Sequence, residues 1–406
     1  MDIPAIEGGA PVRDTKIFYG HQYIDEADVE AVCRVLRSEA LTCGPMITEL
    51  EKRLCALTGA KYAVACSNGT AALHMACQAA GVWQCAQDQP EDRPGEVITT
   101  PITFAASANC ALYCGAKPVF ADICDHTYNL DPAEAEKKIT SATKAIVVVD
   151  FTGQAAELDR FRELCTKHKL VLIEDAAHSI GTAYKGTMVG NIADMTTFSF
   201  HPVKTVTGGE GGAVLTNNEE YYRKLLLYRT HGITRDETLM EHASEGPWYY
   251  EQLTLAYNYR MTDIQAALVC SQLDKLEQFG RRRKEIVKRY DEAFLQIPEL
   301  SVQKEIPESD TVRHLYILRI RPEKLKIDRK QFFAAMAAEN IQCNVHYIPV
   351  YRHPFYEHLG YRRGICPKAE KLYEEIMSLP LYYSMTDQDV EDVIAAVRKI
   401  TAFYRK

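Results

Sequence analysis

The chain has 406 residues, which at ~150 residues per domain is long enough for two or three. With 47% hydrophobic and 25% charged residues it has the composition of a globular protein that can bury a sizeable core, not that of a disordered one. The formal net charge of -8 comes without a basic stripe, so nucleic acid is excluded as a favoured partner.

Thirteen cysteines, an odd number with no CxxC pair, read as free thiols in a reducing, cytoplasmic setting. Cys55, Cys66 and Cys77 recur at a fixed interval but fall in different predicted elements, as small buried side chains do. The N-terminus lacks the basic and apolar regions of a signal peptide. The uncharged run 97–116 holds Pro101, Ser107 and Asn109 and is too polar to cross a membrane.

Apolar, β-branched runs predict seven strands in the first half, at 62–66, 97–100, 118–122, 145–151, 170–174, 196–200 and 212–216. Segments of helical periodicity alternate with them, at 71–80, 105–113, 132–139 and 157–168. Such alternation predicts a mostly parallel sheet covered on both faces. Beyond about Thr262 the pattern changes to long charged helices over 263–295, strands at 314–320 and near 342–346, and helices at 329–340 and 388–404. The expected organisation is a large domain over 1–262 and a smaller α+β domain over 263–406, with a surface insertion at 84–95.

Three motifs carry chemistry. Ser67-Asn68-Gly69-Thr70 joins a strand to a helix, where free N–H groups and the helix dipole favour a phosphate; an ordinary N-cap explains the same residues. Glu174-Asp175-Ala176-Ala177-His178 sets two carboxylates at the carboxyl end of a strand, the edge where open α/β sheets bind ligands, although either acid could merely cap a helix. Ser199-Phe200-His201-Pro202-Val203-Lys204 delivers one lysine ahead of the glycines at 208–212; it suits a Schiff base to a carbonyl cofactor, or else is a surface lysine beside a turn. With Phe104 after a strand, the ordered set supplies what pyridoxal phosphate needs: phosphate donors, a ring-stacking aromatic, an acid for the pyridine nitrogen and an amine for the aldehyde. The P-loop and dinucleotide-binding fingerprints are missing, and His353, Glu357 and His358 fit no standard metal spacing.

These motifs, together with Leu41-Thr42-Cys43-Gly44-Pro45 and Tyr257-Asn258-Tyr259-Arg260-Met261-Thr262-Asp263, resemble the DegT-type nucleotide-sugar aminotransferases over nearly the whole chain. That family is a branch of the fold-type I, aspartate aminotransferase-like enzymes. The resemblance implies pyridoxal 5'-phosphate as cofactor, Lys204 as its covalent partner and proton carrier, and Asp175 facing its ring nitrogen. It further implies Phe104 stacked on the ring and His178 near the ring oxygen. Gly69, Thr70 and Ser199 would hold the phosphate, joined by Asn258 from a second subunit of a homodimer. Thr42, His346 and Tyr347 would line the sugar site, the last two in the segment 344–351, which in the family usually ends in histidine where Tyr351 stands. Read without the resemblance, His346 is a half-buried histidine with its hydrogen bonds satisfied. The implied substrates are L-glutamate and a UDP-linked 4-keto sugar, the likeness being nearest to members that serve pseudaminic acid biosynthesis. Other keto-sugar aminotransferases share several of these residues, and a sugar-nucleotide dehydratase or a non-catalytic regulatory protein on the same fold are the rivals from other classes.

Overall fold

The computed structural model describes residues 2–83 and 94–406, so most of the expected insertion lies outside the described residues. The seven strands are β1 (Tyr62–Cys66), β2 (Glu96–Thr99), β3 (Lys117–Phe120), β4 (Thr143–Val149), β5 (Val171–Asp175), β6 (Met195–Ser199) and β7 (Gly212–Thr216). They form one sheet in the order β1-β7-β6-β5-β4-β2-β3. Only β7 runs against its neighbours, pairing antiparallel with both β1 and β6. The other six strands therefore share a direction, and their carboxyl ends line one edge.

The pleat sorts the core into two layers. Ile146, Val148, Leu172 and Phe198 face one side, with Leu50, Phe161 and Leu215. Ala145, Val147 and Ile173 face the other, with Leu73, Met75 and Val214 from helix Gly69–Ala79 and β7. Because successive side chains alternate, β4 and β5 must be apolar at nearly every position, which is why they read as continuous runs. Each fully buried Leu or Phe in these layers contributes roughly 1.5–3 kcal/mol. The same alternation separates the two acids of β5: Asp175 shares the face of Ile173, whereas Glu174 shares that of Leu172.

A second, three-stranded antiparallel sheet pairs Leu300–Val302, Tyr316–Ile320 and Ile376–Leu379. Its core takes Ile286, Tyr290 and Phe294 from helix Leu276–Phe294, Phe332 and Met336 from Arg329–Ala338, and Val393 and Val397 from Asp387–Tyr404. The strand expected near 342–346 is not formed, since that stretch makes only one isolated bridge, from Asn344 to Ser378. The ladder beside Tyr316–Ile320 is filled instead by Ile376–Leu379, which the sequence reading missed.

A division near residue 262 stays a proposal, with two details from packing. Helix Asp263–Leu273 puts Ala266, Val269 and Cys270 into the core of the large sheet. At the other end of the chain, Ile17 enters the smaller core, and the N–H groups of Ala5 and Val12 donate to the buried Glu339 at 2.8 Å each. All twelve described cysteines are free thiols. No helix among the described residues is long and apolar enough to cross a membrane.

Candidate active site

Most of the side chains expected at the site gather at the carboxyl edge of the large sheet, where β1, β2, β5 and β6 end. Asp175, the last residue of β5, is buried, yet its carboxylate is well supplied with donors. Ser107 Oγ donates to Oδ2 at 2.6 Å and the Ala177 N–H donates to Oδ1 at 3.2 Å. Burial pushes its pKa up, while Ser107, Ala177 and the charge of Lys204 pull it down. A buried acid with donors on both oxygens and a cation nearby is suited to holding a protonated ring nitrogen.

Lys204 sits on the loop that leaves β6, turned by its own N–H donating to the His201 carbonyl at 2.9 Å. It is half-buried, and burial lowers its ammonium to about 8 against the opposing pull of Asp175. At neutral pH roughly a tenth of such a lysine is the free amine, far more than for an ordinary lysine. That fraction is what attack on a carbonyl requires.

Around the lysine stand three histidines kept neutral. His178 is buried and held well below the usual histidine range by burial first, then by Lys204 and His346. Its Nε2 is hydrogen-bonded to the Tyr347 hydroxyl at 3.2 Å, and its Nδ1 is buried without a hydrogen-bond partner. His346 is pushed down to about 4, chiefly by burial, and its Nδ1 is hydrogen-bonded to Ser378 Oγ at 2.7 Å. His314 packs its ring 4.7 Å from that of His178 and is shifted in the same direction.

The turn after β1 and the end of β6 are pressed together. A side chain at Gly69 would place its Cβ 2.8 Å from Ser199 Cβ, and one at Gly212 would lie 2.5 Å from the Asn68 carbonyl. Only glycines permit this approach, which sets the Ser199 hydroxyl beside the first turn of helix Gly69–Ala79. Asn68 caps that helix by accepting from the Ala71 N–H at 2.8 Å, so the capping reading of Asn68 holds. The same turn can still take an anion, because the earliest N–H groups of a helix have no intrahelical acceptor. Phe104 is 63% exposed, with its ring 6.4 Å from that of Tyr347, so an apolar face stands open at the rim.

Two expected residues stand apart within the chain. Asn258 is exposed on the loop before Asp263, where its Oδ1 accepts from the Arg260 N–H at 3.4 Å. Thr42 is exposed in a segment bridged to Thr262. Tyr351 is turned away into a core, donating its hydroxyl to Glu370 at 2.7 Å. Ser107, Thr103 and His314 were not singled out from sequence as site residues. The one available signal was a pair of hydroxyls four residues apart next to Phe104.

Asp175, Lys204 and the open face of Phe104 are groups whose chemistry would suit pyridoxal phosphate: an acid for its ring nitrogen, an amine for its aldehyde and an apolar surface for its ring. Residues 22–398 match the DegT/DnrJ/EryC1/StrS aminotransferase family, and the chain belongs to that family. It is 40% identical to the spore coat polysaccharide biosynthesis protein SpsC of Bacillus subtilis, over 94% of this chain and 96% of that one. To the UDP-4-amino-4,6-dideoxy-N-acetyl-beta-L-altrosamine transaminase of Campylobacter jejuni it is 37% identical, over 93% and 95% of the two chains. The structure superposes on the pyridoxal-phosphate form of the putative sugar aminotransferase Spr1654 from Streptococcus pneumoniae with a TM-score of 0.87, at 31% identity over 96% and 99% of the chains. The chain is thus a sugar aminotransferase with the fold-type I architecture, and its cofactor is pyridoxal phosphate.

Proposed function

We propose that this aminotransferase moves the amino group of L-glutamate to C4 of UDP-2-acetamido-2,6-dideoxy-β-L-arabino-hexos-4-ulose. The product is UDP-4-amino-4,6-dideoxy-N-acetyl-β-L-altrosamine, for pseudaminic acid biosynthesis. The observation that carries the chemistry is the electrostatic pairing of Lys204, lowered to about 8, with the buried Asp175 at one sheet edge. The choice of sugar is supported by the 37% identity to the Campylobacter jejuni transaminase.

When bound, pyridoxal phosphate supplies an electron sink that makes the α-proton of the amino donor removable. In the proposed roles, Asp175 stays ionised and holds the ring nitrogen protonated. Lys204 Nζ, as the free amine, removes the donor's α-proton and in the second half of the cycle delivers one to C4 of the sugar. Gly69, Thr70 and Ser199 hold the phosphate, Phe104 covers the ring face, and His178 presents Nδ1 to the ring oxygen. Thr42, His346 and Tyr347 bound the sugar site. Asn258, exposed in a stretch of chain that also exposes Trp248, Tyr250, Leu255 and Tyr257, suits a place at a homodimer interface where it completes the partner's phosphate site. The free thiols accord with a cytoplasmic protein.

The test is the visible spectrum of the protein supplied with pyridoxal phosphate, before and after L-glutamate, followed by a panel of 4-keto and 3-keto nucleotide sugars. The expected result is a yellow band, lost in Lys204→Ala and bleached by glutamate, with amination strongest for the named UDP-4-keto sugar. A band indifferent to amino donors would refute the donor reading, and preference for another keto sugar would replace the acceptor.

A further inference from the structure

The turn that leaves β2 and the helix it enters, Ala106–Tyr113, carry two buried hydroxyls that lead to Asp175, Thr103 in the turn and Ser107 in the helix's first turn. Thr103 Oγ1 and Ser107 Oγ lie 2.6 Å apart, and Ser107 Oγ lies 2.6 Å from Asp175 Oδ2. All three residues are buried. Ser107 Oγ has a single proton and a second, longer acceptor in the Phe104 carbonyl at 3.3 Å. An ionised carboxylate can only accept, so while Asp175 is charged the Ser107 proton is directed at it. Thr103 must then donate to Ser107, and both hydroxyl dipoles point toward the carboxylate.

We propose that Ser107, oriented by Thr103, is the positioning residue that keeps Asp175 ionised and aimed at the ring nitrogen. The inference rests on the reading of Asp175 given above. Burial alone pushes Asp175 toward its neutral form, and the Ser107 hydrogen bond is the strongest influence opposing it. The wire also reverses. If Asp175 takes up a proton it no longer demands the Ser107 hydroxyl, which is then free to donate to the Phe104 carbonyl. Since Phe104 occupies the same turn, the charge of the ring-nitrogen partner and the seat of the ring-covering aromatic are joined through one hydroxyl.

The experiment uses the full chain with pyridoxal phosphate and compares Ser107→Ala, Ser107→Thr and Thr103→Val with the parent protein. Two quantities are read against pH: the dissociation constant of pyridoxal phosphate, and kcat/KM for the L-glutamate half-reaction. Ser107→Ala is expected to move the acid limb of both profiles up by about one pH unit, because the carboxylate loses its best donor. Thr103→Val moves it the same way by less, and Ser107→Thr, which keeps the hydroxyl, restores the parent limb. A Ser107→Ala protein that melts earlier but keeps the parent acid limb would overturn the proposal, since the hydroxyl would then be structural only. Should Ser107→Ala fail to fold, the nearly isosteric Thr103→Val decides, and an unmoved limb there overturns the proposal too. Failure of the underlying reading looks different: Asp175→Asn would then leave the parent protein's profile intact.

Discussion

Asp263 and Gly44 are 219 residues apart in sequence, yet the carboxylate of the first receives the backbone N–H of the second at 2.8 Å. Its other oxygen receives the Met46 N–H, also at 2.8 Å, so a fully buried acid from one helix caps the start of another, Pro45–Thr58. A Cβ at Gly44 would lie 2.7 Å from that carboxylate, which explains the glycine. Asp263→Ala strands two donors at a dipole-favoured position and is expected to cost about 3 kcal/mol of stability. Thermal unfolding checks this, with Asp263→Asn losing less because its carbonyl still accepts.

Capture of pyridoxal phosphate by the free protein should follow the amine form of Lys204. With the ammonium at about 8, the capture rate rises about tenfold per pH unit below that value and levels off above it. Stopped-flow absorbance between pH 6 and 10 reads the midpoint; a midpoint near that of ordinary lysine would show that burial does not tune the group.

Asparagine in place of Asp175, the proposed partner of the ring nitrogen, keeps the shape of the side chain but removes its charge. Asp175→Asn is expected to lower kcat on the order of a hundredfold or more, with the protein still folded. Single-turnover kinetics with L-glutamate measure this directly.

Acid should unfold the protein by way of its neutral histidines. The unfolded chain takes a proton on each histidine near 6.5, whereas folded His346 refuses one down to about 4. Stability contributed by the neutral form is therefore whole above 6.5 and is lost as pH falls from 6.5 toward 4, by roughly 3 kcal/mol for this residue. His178 and His314 act in the same direction. Denaturant midpoints across that window should fall steeply, and His346→Gln should flatten the slope.

Gly69→Ala tests the anion cradle. The added methyl meets Ser199 Cβ at 2.8 Å and pushes the cradle open. Pyridoxal phosphate should bind on the order of tenfold more weakly, as read by fluorescence titration, and the melting temperature of the cofactor-free protein should fall, since relieving the clash costs about 1–3 kcal/mol.

All seven strands of the large sheet were legible because each is a short, mostly apolar run, and all but β3 are buried on nearly every position of both faces, a pattern local to the run itself. Their order was not, since nothing in β7 announces that it inserts antiparallel between β1 and β6. Ile376–Leu379 escaped notice because it follows helix Pro367–Glu375 without a break, and Leu372, Ile376 and Leu379 extend a helical period across the junction. At the site, Lys204 and Asp175 were marked by motifs at strand ends. Ser107 was not, because its meaning depends on a carboxylate 68 positions away. The resemblance chose Asp175 over Glu174, and the pleat supplies the physical reason, since it sends Glu174 into the opposite layer.

The segment 5–17 and helix Asp387–Tyr404 meet on the smaller sheet's unit. Glu339 receives the Ala5 N–H across 334 residues and is also paired with Lys399 of the last helix at 3.0 Å. The segment 5–17 is thus made 327 to 334 residues before the carboxylate that seats it. Helix Asp387–Tyr404 then serves as a latch for that segment. Nicking or trimming it would release the N-terminal strap as well, and leave Ile17 without the pocket that buries it.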